Sequence, residues 1–269
     1  MKNFYNQDQL VHHFQRCNQA AARTLDVDIE VVAETGSTNA DLMSRVVSLT
    51  KPTLLVAEHQ TAGKGRAGRT WLSTPGGVLT FSLAWHFHTS LQQLSAFPLV
   101  VGLSLAECLR HIGVHVEVKW PNDLLKDGKK LAGILVESAP ASAADGGYWT
   151  VIGIGLNLQV PQELELQIGQ AVADSAWLAQ MDRNQLLAEL THAVASAATI
   201  FEEYGFEVFV ERWNTLHAFA GKDVRIMDAD RVLVQGRALG IDASGRLLID
   251  DHGQQRAIHS GDVSLRPLA

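Results

Sequence analysis

The chain changes texture at Gly221, and that change limits what it can fold into. Beyond it there are only short strand patterns, at 224–228, 231–240, 246–250, 255–259 and 263–266, set apart by polar turns such as Ala243-Ser244-Gly245. Such spacing over about 50 residues predicts a small β-barrel. Before Gly221, strand patterns at 28–33, 53–60, 78–87, 116–119, 130–137 and 148–158 are mixed with helical patterns at 7–24, 39–48, 95–112, 183–204 and 206–217. That mixture calls for an α+β domain large enough to bury its own core. The natural division is 1–219 and 220–269.

Within the larger part, the densest chemical signal is Gly63-Lys64-Gly65-Arg66-Ala67-Gly68-Arg69-Thr70-Trp71. Glycine lets the main chain come close to a ligand. Arginine presents a planar fork that matches phosphate or carboxylate oxygens. Trp71 adds a flat face for stacking. The plain alternative is a mobile, solvated loop. Gly63, Gly65 and Gly68 fit G-x-G-x-x-G, but Ser73-Thr74-Pro75-Gly76-Gly77 cannot open the helix that a dinucleotide site needs, and residues 83–88 supply no acid. A P-loop fails because Gly65, not Ser or Thr, follows Lys64. The kinase strings H-R-D and D-F-G are absent from the sequence.

A net charge of −7 argues against a duplex nucleic acid partner. The longest apolar run, Ala96 to Ile112, is broken by Pro98, Gly102, Ser104 and Glu107 and reads as a buried helix, not a membrane span. The N-terminus has no apolar signal core, and the only cysteines, Cys17 and Cys108, do not form a metal-type pair. Cys17 is expected to be a buried thiol on a helix, and the address to be a reducing cytoplasm. His86 and His88 share a strand face, but without a third ligand they read as a strand end.

Three further strings stand out. Thr38, with Asp41 three positions on, resembles a cap for helix 39–48, while the other polar groups of Ser37-Thr38-Asn39 are free to face a ligand. In 116–119, Val116 and Val118 point one way and Glu117 and Lys119 the other, so Lys119 ends a strand on the non-core side. Pro121 then holds Trp120 extended, and Asn122-Asp123 continues the turn. In 148–158, Val151, Gly153, Gly155 and Asn157 share a face. Two glycines there make room either for a bulky neighbour or for a ligand lying on the sheet. Residues 138–147 are expected to form a flexible loop, and Asp182 to cap helix 183–204, with Leu186 or Leu187, Leu190, Val194, Ala197 and Phe201 as its buried stripe.

Taken in order, Ser37-Thr38-Asn39, Gln60, Gly63 to Trp71, Lys119 to Asp123, Lys130 to Glu137, Gly153 to Asn157 and Val263 to Arg266 resemble the biotin protein ligases over roughly residues 28–266. The resemblance implies a mixed central sheet with helices on one face, of the class II synthetase-like biotin–lipoate ligase fold, and an SH3-like C-terminal barrel. It implies that biotin and MgATP give biotinyl-5′-AMP, and that a lysine of a biotin carboxyl carrier protein then takes the biotinyl group. By the same resemblance, Lys119 and Arg66 are catalytic. Ser37, Thr38, Asn39, Gln60, Gly63, Lys64, Gly65, Arg66, Lys119, Gly153 and Gly155 face biotin. Arg66, Arg69, Trp71, Asn122, Lys130, Asn157 and Arg266 face ATP, with Trp71 over the adenine. Mg2+ arrives with ATP; no dedicated protein site is implied, and Asn122 and Asp123 stand where they could help position metal or phosphates, with Asp123 as the possible metal contact. The implied form has no permanent cofactor and no membrane partner, and leaves homodimerisation open.

Two departures qualify this. Lys64 stands where the family more often has arginine, giving a point charge in place of a fork. Some relatives carry an N-terminal DNA-binding domain; about 27 residues before the first ligase strand are too few for one, so a ligase without repressor activity is expected. The rival readings are a lipoate protein ligase of the same fold, a catalytically silent biotin or nucleotide sensor, and a bare scaffold.

Overall fold

The computed structural model describes residues 4–161, 165, 172–228, 231–261 and 263–268. Its main element is a seven-stranded sheet. The strands are β1 (Asp28–Thr35), β2 (Thr53–Gln60), β3 (Val78–Phe87), β4 (Glu117–Lys119), β5 (Asp123–Lys126), β6 (Lys129–Pro140) and β7 (Tyr148–Asn157), in the order β1-β2-β3-β7-β6-β5-β4. β1 and β2 run parallel; the other neighbours are antiparallel. The sheet is therefore mixed, as expected.

One face of the sheet is the core. Leu54 and Val56, Phe81 and Leu83, and Ile152 and Ile154 alternate onto it and meet helices α1 (Gln7–Ala20) and α4 (Phe97–His111), which follows the short α3 (Leu91–Leu94). Beyond α5 (Ala176–Gln180), α6 (Arg183–Tyr204) joins this layer and α7 (Glu207–Thr215) flanks it. Asp182 caps α6 by accepting from the backbone N–H groups of Asn184 and Gln185, and Leu186, Leu187, Leu190, Val194, Ala197 and Phe201 are buried as the spacing predicts. Phe87 meets Phe97 and Phe201 edge-on, and those two rings pack tilted on each other, where β3, α4 and α6 meet. Burying each such ring contributes about 2 kcal/mol.

Among the described residues, one helix departs from this layer. α2 (Thr38–Arg45) lies on the opposite face, where Leu42 and the following Val46 pack on Leu55, Ala84 and Val151. It covers one end of that face and leaves the rest to the site. Its cap is Ser37, whose hydroxyl accepts from the Ala40 N–H, and not Thr38.

Three other expectations need correction. Asn122-Asp123 does not simply continue the turn: Asp123 opens β5, which pairs back on β4 with Lys119 opposite Asp123. The loop expected at 138–147 is shorter, because β6 runs on to Pro140. Cys17 is only half-buried, since α1 ends soon after it; burial nonetheless pushes both thiols up, that of Cys108 to about 12. Among the described residues no helix is long and apolar enough to cross a membrane.

The C-terminal strands β8 (Asp223–Asp228), β9 (Arg231–Ile241), β10 (Leu247–Asp251), β11 (Gln254–Ile258) and β12 (Val263–Pro267) form a second sheet in the order β11-β10-β9-β8-β12. Among the described residues its edge strands do not pair with each other, so the SH3-like unit is not a closed barrel. It is fastened to the first sheet near Lys119. The segment after α7 runs beside β4, with Val118 N–H donating to Leu216 O and Ala218 N–H to Val118 O. The buried Trp120 indole donates to Gly245 O at 3.2 Å.

Candidate functional site

The glycine loop is a small folded hairpin. Trp71 N–H donates to Gly63 O at 2.8 Å, Lys64 bridges Thr70, and Gly65 N–H donates to Arg69 O at 2.7 Å. A 3-10 turn, Arg66–Gly68, closes its tip, with Ala67 and Gly68 in the left-handed region at φ 53° and 71°. Gly63 has no room for a β-carbon, which would run into the Trp71 carbonyl. The hairpin turns Arg66 and Trp71 inward and leaves Lys64 and Arg69 exposed.

Arg66 reaches across to the β4–β5 turn and donates to Asn122 Oδ1 at 2.8 Å. It also donates to the carbonyl of Gly261, in the C-terminal unit. Asn122 is tied in turn to β6 by Nδ2 donating to Ile134 O at 2.7 Å, so its amide serves as the seat for Arg66. Opposite Arg66, Lys119 is nearly enclosed, with 13% of its side chain exposed. Burial, the largest influence, pushes its pKa down; Asp123 acts against this, and the charges of Arg266 and Lys130 add to the lowering. Asp123 sits between two lysines, 3.6 Å from Lys119 Nζ and 2.6 Å from Lys130 Nζ. Both contacts are charge pairs, and the buried Oδ1 makes no hydrogen bond. The described residues contain no group of three or more His, Cys, Asp or Glu that could hold a metal ion.

Two hollows meet at this point. The larger, about 490 Å³, lies between the two sheets under the hairpin. Lys119, Asn122, Asp123, Lys130 and Asn157 line one side of it, Arg66, Arg69 and Trp71 the second, and Arg266 the third. The smaller, about 60 Å³, lies over the open face of the main sheet. It collects Ser37, Thr38 and Asn39 from α2 and its cap, Gln60 from the end of β2, and Gly153 and Gly155 from β7, with Lys64, Gly65 and Arg66 at its rim. Gly65, Arg66, Trp71, Asn122 and Lys130 border both. A ligand in each would meet its neighbour beside Arg66.

Comparison with known proteins gives the same answer from another direction. Residues 30–157 match the biotin/lipoate A/B protein ligase family, and residues 219–266 match the biotin protein ligase C-terminal domain. The bifunctional ligase/repressor BirA of Salmonella typhimurium is 34% identical over 89% of this chain and 74% of its own length. The chain belongs to the biotin protein ligase family. Another relative, the biotin–[acetyl-CoA-carboxylase] ligase of Mycobacterium tuberculosis, is 31% identical to this ligase over 87% of this chain and 88% of its own. Among solved structures, the biotin protein ligase of Aquifex aeolicus in complex with biotin and ATP superposes with a TM-score of 0.73, at 28% identity over 90% of this chain and 99% of that one.

Every residue singled out in this ligase's sequence lies in or at the edge of the two hollows, except that Gly63 acts from behind, through the hairpin. Of the two readings of the β7 glycines, the structure shows neighbouring side chains packed on them. The bare patch of sheet is not open floor. Trp71 lies over Gly155 so closely that a β-carbon there would run into the indole, and one at Gly133 would come within 2.9 Å of it. The Lys130 ammonium is 5.5 Å from the Trp71 ring centroid, while Trp71 Nε1 is buried without a partner. Gly153 makes room for Asn39, whose amide would clash with a β-carbon there. Thr80, Ser82 and Gly133 line the small hollow and Glu137 stands behind it on Asn39; none of the four was given a role in the sequence. Thr80 and Ser82 face Gly155 and Gly153 across β3, Gly133 faces Gly155 from β6, and Glu137 is hydrogen-bonded to Asn39.

Proposed function

We propose that the ligase reaction runs across the boundary of the two hollows, with the biotin head group in the smaller and ATP in the larger. The chain activates biotin to biotinyl-5′-AMP and transfers the biotinyl group to a carrier protein. The observation that carries this allocation is the shared wall. Arg66 and Asn122 border both hollows and Lys119 lines the larger one, so a carboxylate entering from the small hollow and a phosphate in the large cavity would meet between Arg66 and Lys119.

Both reacting groups are anionic, so the first barrier is their mutual repulsion. A biotin carboxylate oxygen attacks the α-phosphorus, and the bond to the pyrophosphate oxygen breaks. Lys119 and Arg66 stabilise the charge shared between carboxylate and phosphate. They act from fixed positions, Arg66 seated on Asn122 and Lys119 paired with Asp123. Fixed donors of this kind contribute about 3–4 kcal/mol to lowering a barrier. The burial that makes Lys119's charge costly makes an arriving anion welcome there. In the second step the carrier lysine's amine attacks the acyl carbon, the bond to the phosphate oxygen breaks, AMP leaves and the amine's proton passes to water.

Mg2+ would accompany ATP and would screen its phosphates, and Asp123, paired with two lysines at the wall of the larger cavity, is the carboxylate that would face it. Trp71, over the sheet and at the edge of the larger cavity, is placed to move onto the adenine and close the site to water. We take 1–219 as the catalytic unit and 220–269 as the unit that brings Arg266 to the nucleotide. The two unpaired cysteines suit a cytoplasmic address. Incubation with biotin, ATP, Mg2+ and a carrier domain, read by intact mass, tests the reaction: one biotinyl increment on one carrier lysine is expected, and an unmodified carrier contradicts it.

A further inference from the structure

Beneath the small hollow runs a chain of buried hydrogen bonds that the reaction itself does not use. It starts at Glu137, whose Oε2 accepts from Asn39 Nδ2 at 2.7 Å. Asn39 Oδ1 accepts from the Ser82 hydroxyl at 2.7 Å. Ser82 Oγ lies 2.7 Å from Thr38 Oγ1. Thr38 donates from its backbone N–H to Gln60 Oε1 at 2.8 Å, and its hydroxyl lies 3.0 Å from the same oxygen. Asn39, Ser82, Thr38 and Gln60 are all buried.

Counting protons fixes the direction of the whole series. An ionised carboxylate only accepts, so Asn39 must turn its NH₂ toward Glu137 and its carbonyl toward Ser82. Ser82 has one hydroxyl proton, and it goes to that carbonyl. Its oxygen then offers only lone pairs to Thr38. The Thr38 proton points back at Ser82 and Gln60, and the lone pairs of Thr38 Oγ1 stay free for a ligand N–H. At the far end, Gln60 has its carbonyl taken by Thr38, so its NH₂ faces Gly63 and the hollow. Without the carboxylate, Asn39 could flip. Ser82 would then accept from Asn39 and donate to Thr38, whose own proton would go to Gln60; a ligand N–H would be left the second lone pair of Thr38, outside the one-way series of donors that otherwise runs from ligand to carboxylate and strengthens each bond along it.

We propose that Glu137 is a positioning residue for biotin: acting through Asn39 and Ser82, it holds Thr38 as a hydrogen-bond acceptor, so that the wall recognises the N–H of a ureido ring. This rests on the small hollow being the biotin head-group site. It assigns Asn39 to the relay, not to the ligand, and explains Gly153, which gives Asn39 its space. It also explains a carboxylate at the end of a strand face that is otherwise apolar or bare.

The test is steady-state adenylation, followed as biotin-dependent exchange of labelled pyrophosphate into ATP. Glu137→Met keeps the bulk and removes the acceptor. It should raise KM for biotin about tenfold, the loss expected for a hydrogen bond to a charged group, with kcat and KM for ATP within twofold of wild type. Glu137→Gln can turn its carbonyl to Asn39 and should restore most of the loss. Ser82→Ala should raise KM for biotin similarly, and Glu137→Met with Ser82→Ala should be no worse than either alone, because both cut one relay. An unchanged KM for biotin in Glu137→Met, equal changes in kcat and both KM values, or no rescue by Gln would overturn the proposal. Absence of exchange in the wild type would instead remove the reading on which it rests.

Discussion

The Trp71 indole lies against the backbone of Gly155, in a space that a β-carbon would occupy. The contact joins the glycine hairpin to the middle of the main sheet and makes glycine obligatory at that strand position. Gly155→Ala must push Trp71 off the sheet. Overpacking of this kind costs about 1–3 kcal/mol, so the thermal midpoint should fall. Removing the indole as well, in Gly155→Ala with Trp71→Ala, should recover part of that loss. Calorimetry of the two single variants and the double variant checks this. Strictly additive losses would mean that the two residues do not press on each other.

Asn122 seats Arg66 and is itself tied to Ile134. Asn122→Asp replaces a neutral acceptor with a carboxylate, which pairs with the guanidinium and competes with phosphate for it. It also removes the donor to the Ile134 carbonyl. KM for ATP should rise about tenfold, in line with charge-assisted pairing of about 1.5–3 kcal/mol. Kinetics at saturating biotin measure it.

His217 lies beside the strand that carries Lys119 and is buried, with neither ring nitrogen partnered. Trp213 and Phe219 flank the ring, at 4.9 and 6.4 Å. Burial, with the Lys222 charge adding to it, lowers the pKa from 6.5 to about 4. The folded state then holds fewer protons than the unfolded chain between those values. Stability attributable to this residue is therefore intact above pH 6.5 and falls as pH drops toward 4, by about 3 kcal/mol in all. His217→Phe should flatten that part of the stability profile without loss at pH 7. Urea unfolding from pH 7 to 4.5 is the measurement; parallel profiles for the two proteins would contradict it.

The sequence was most legible where local chemistry decides local structure. β3 lies at the predicted residues because a long apolar strand pattern is bounded by Gly77 at one end and His88-Thr89-Ser90 at the other. The C-terminal strands were legible because polar turns separate them. β5 was not, since its two apolar residues, Leu124 and Leu125, are too few to show a period beside a turn signal. The site residues that carry charge or glycine announced themselves. Ser82 and Glu137 did not, because each looks like an ordinary strand residue. Only the pairing of β7 with β3 on one side and β6 on the other, a long-range register, sets them beside Gly153 and Asn39.

The account turns on Lys119 and Arg66 acting together where the two hollows join. Biotin-dependent exchange of labelled pyrophosphate into ATP, compared between wild type and Lys119→Ala, tests that most directly. The expected result is exchange in the wild type that requires biotin, and at least a tenfold slower rate in the variant with ATP still bound, from the loss of a fixed charge worth about 3–4 kcal/mol. Exchange at the wild-type rate in Lys119→Ala would contradict it.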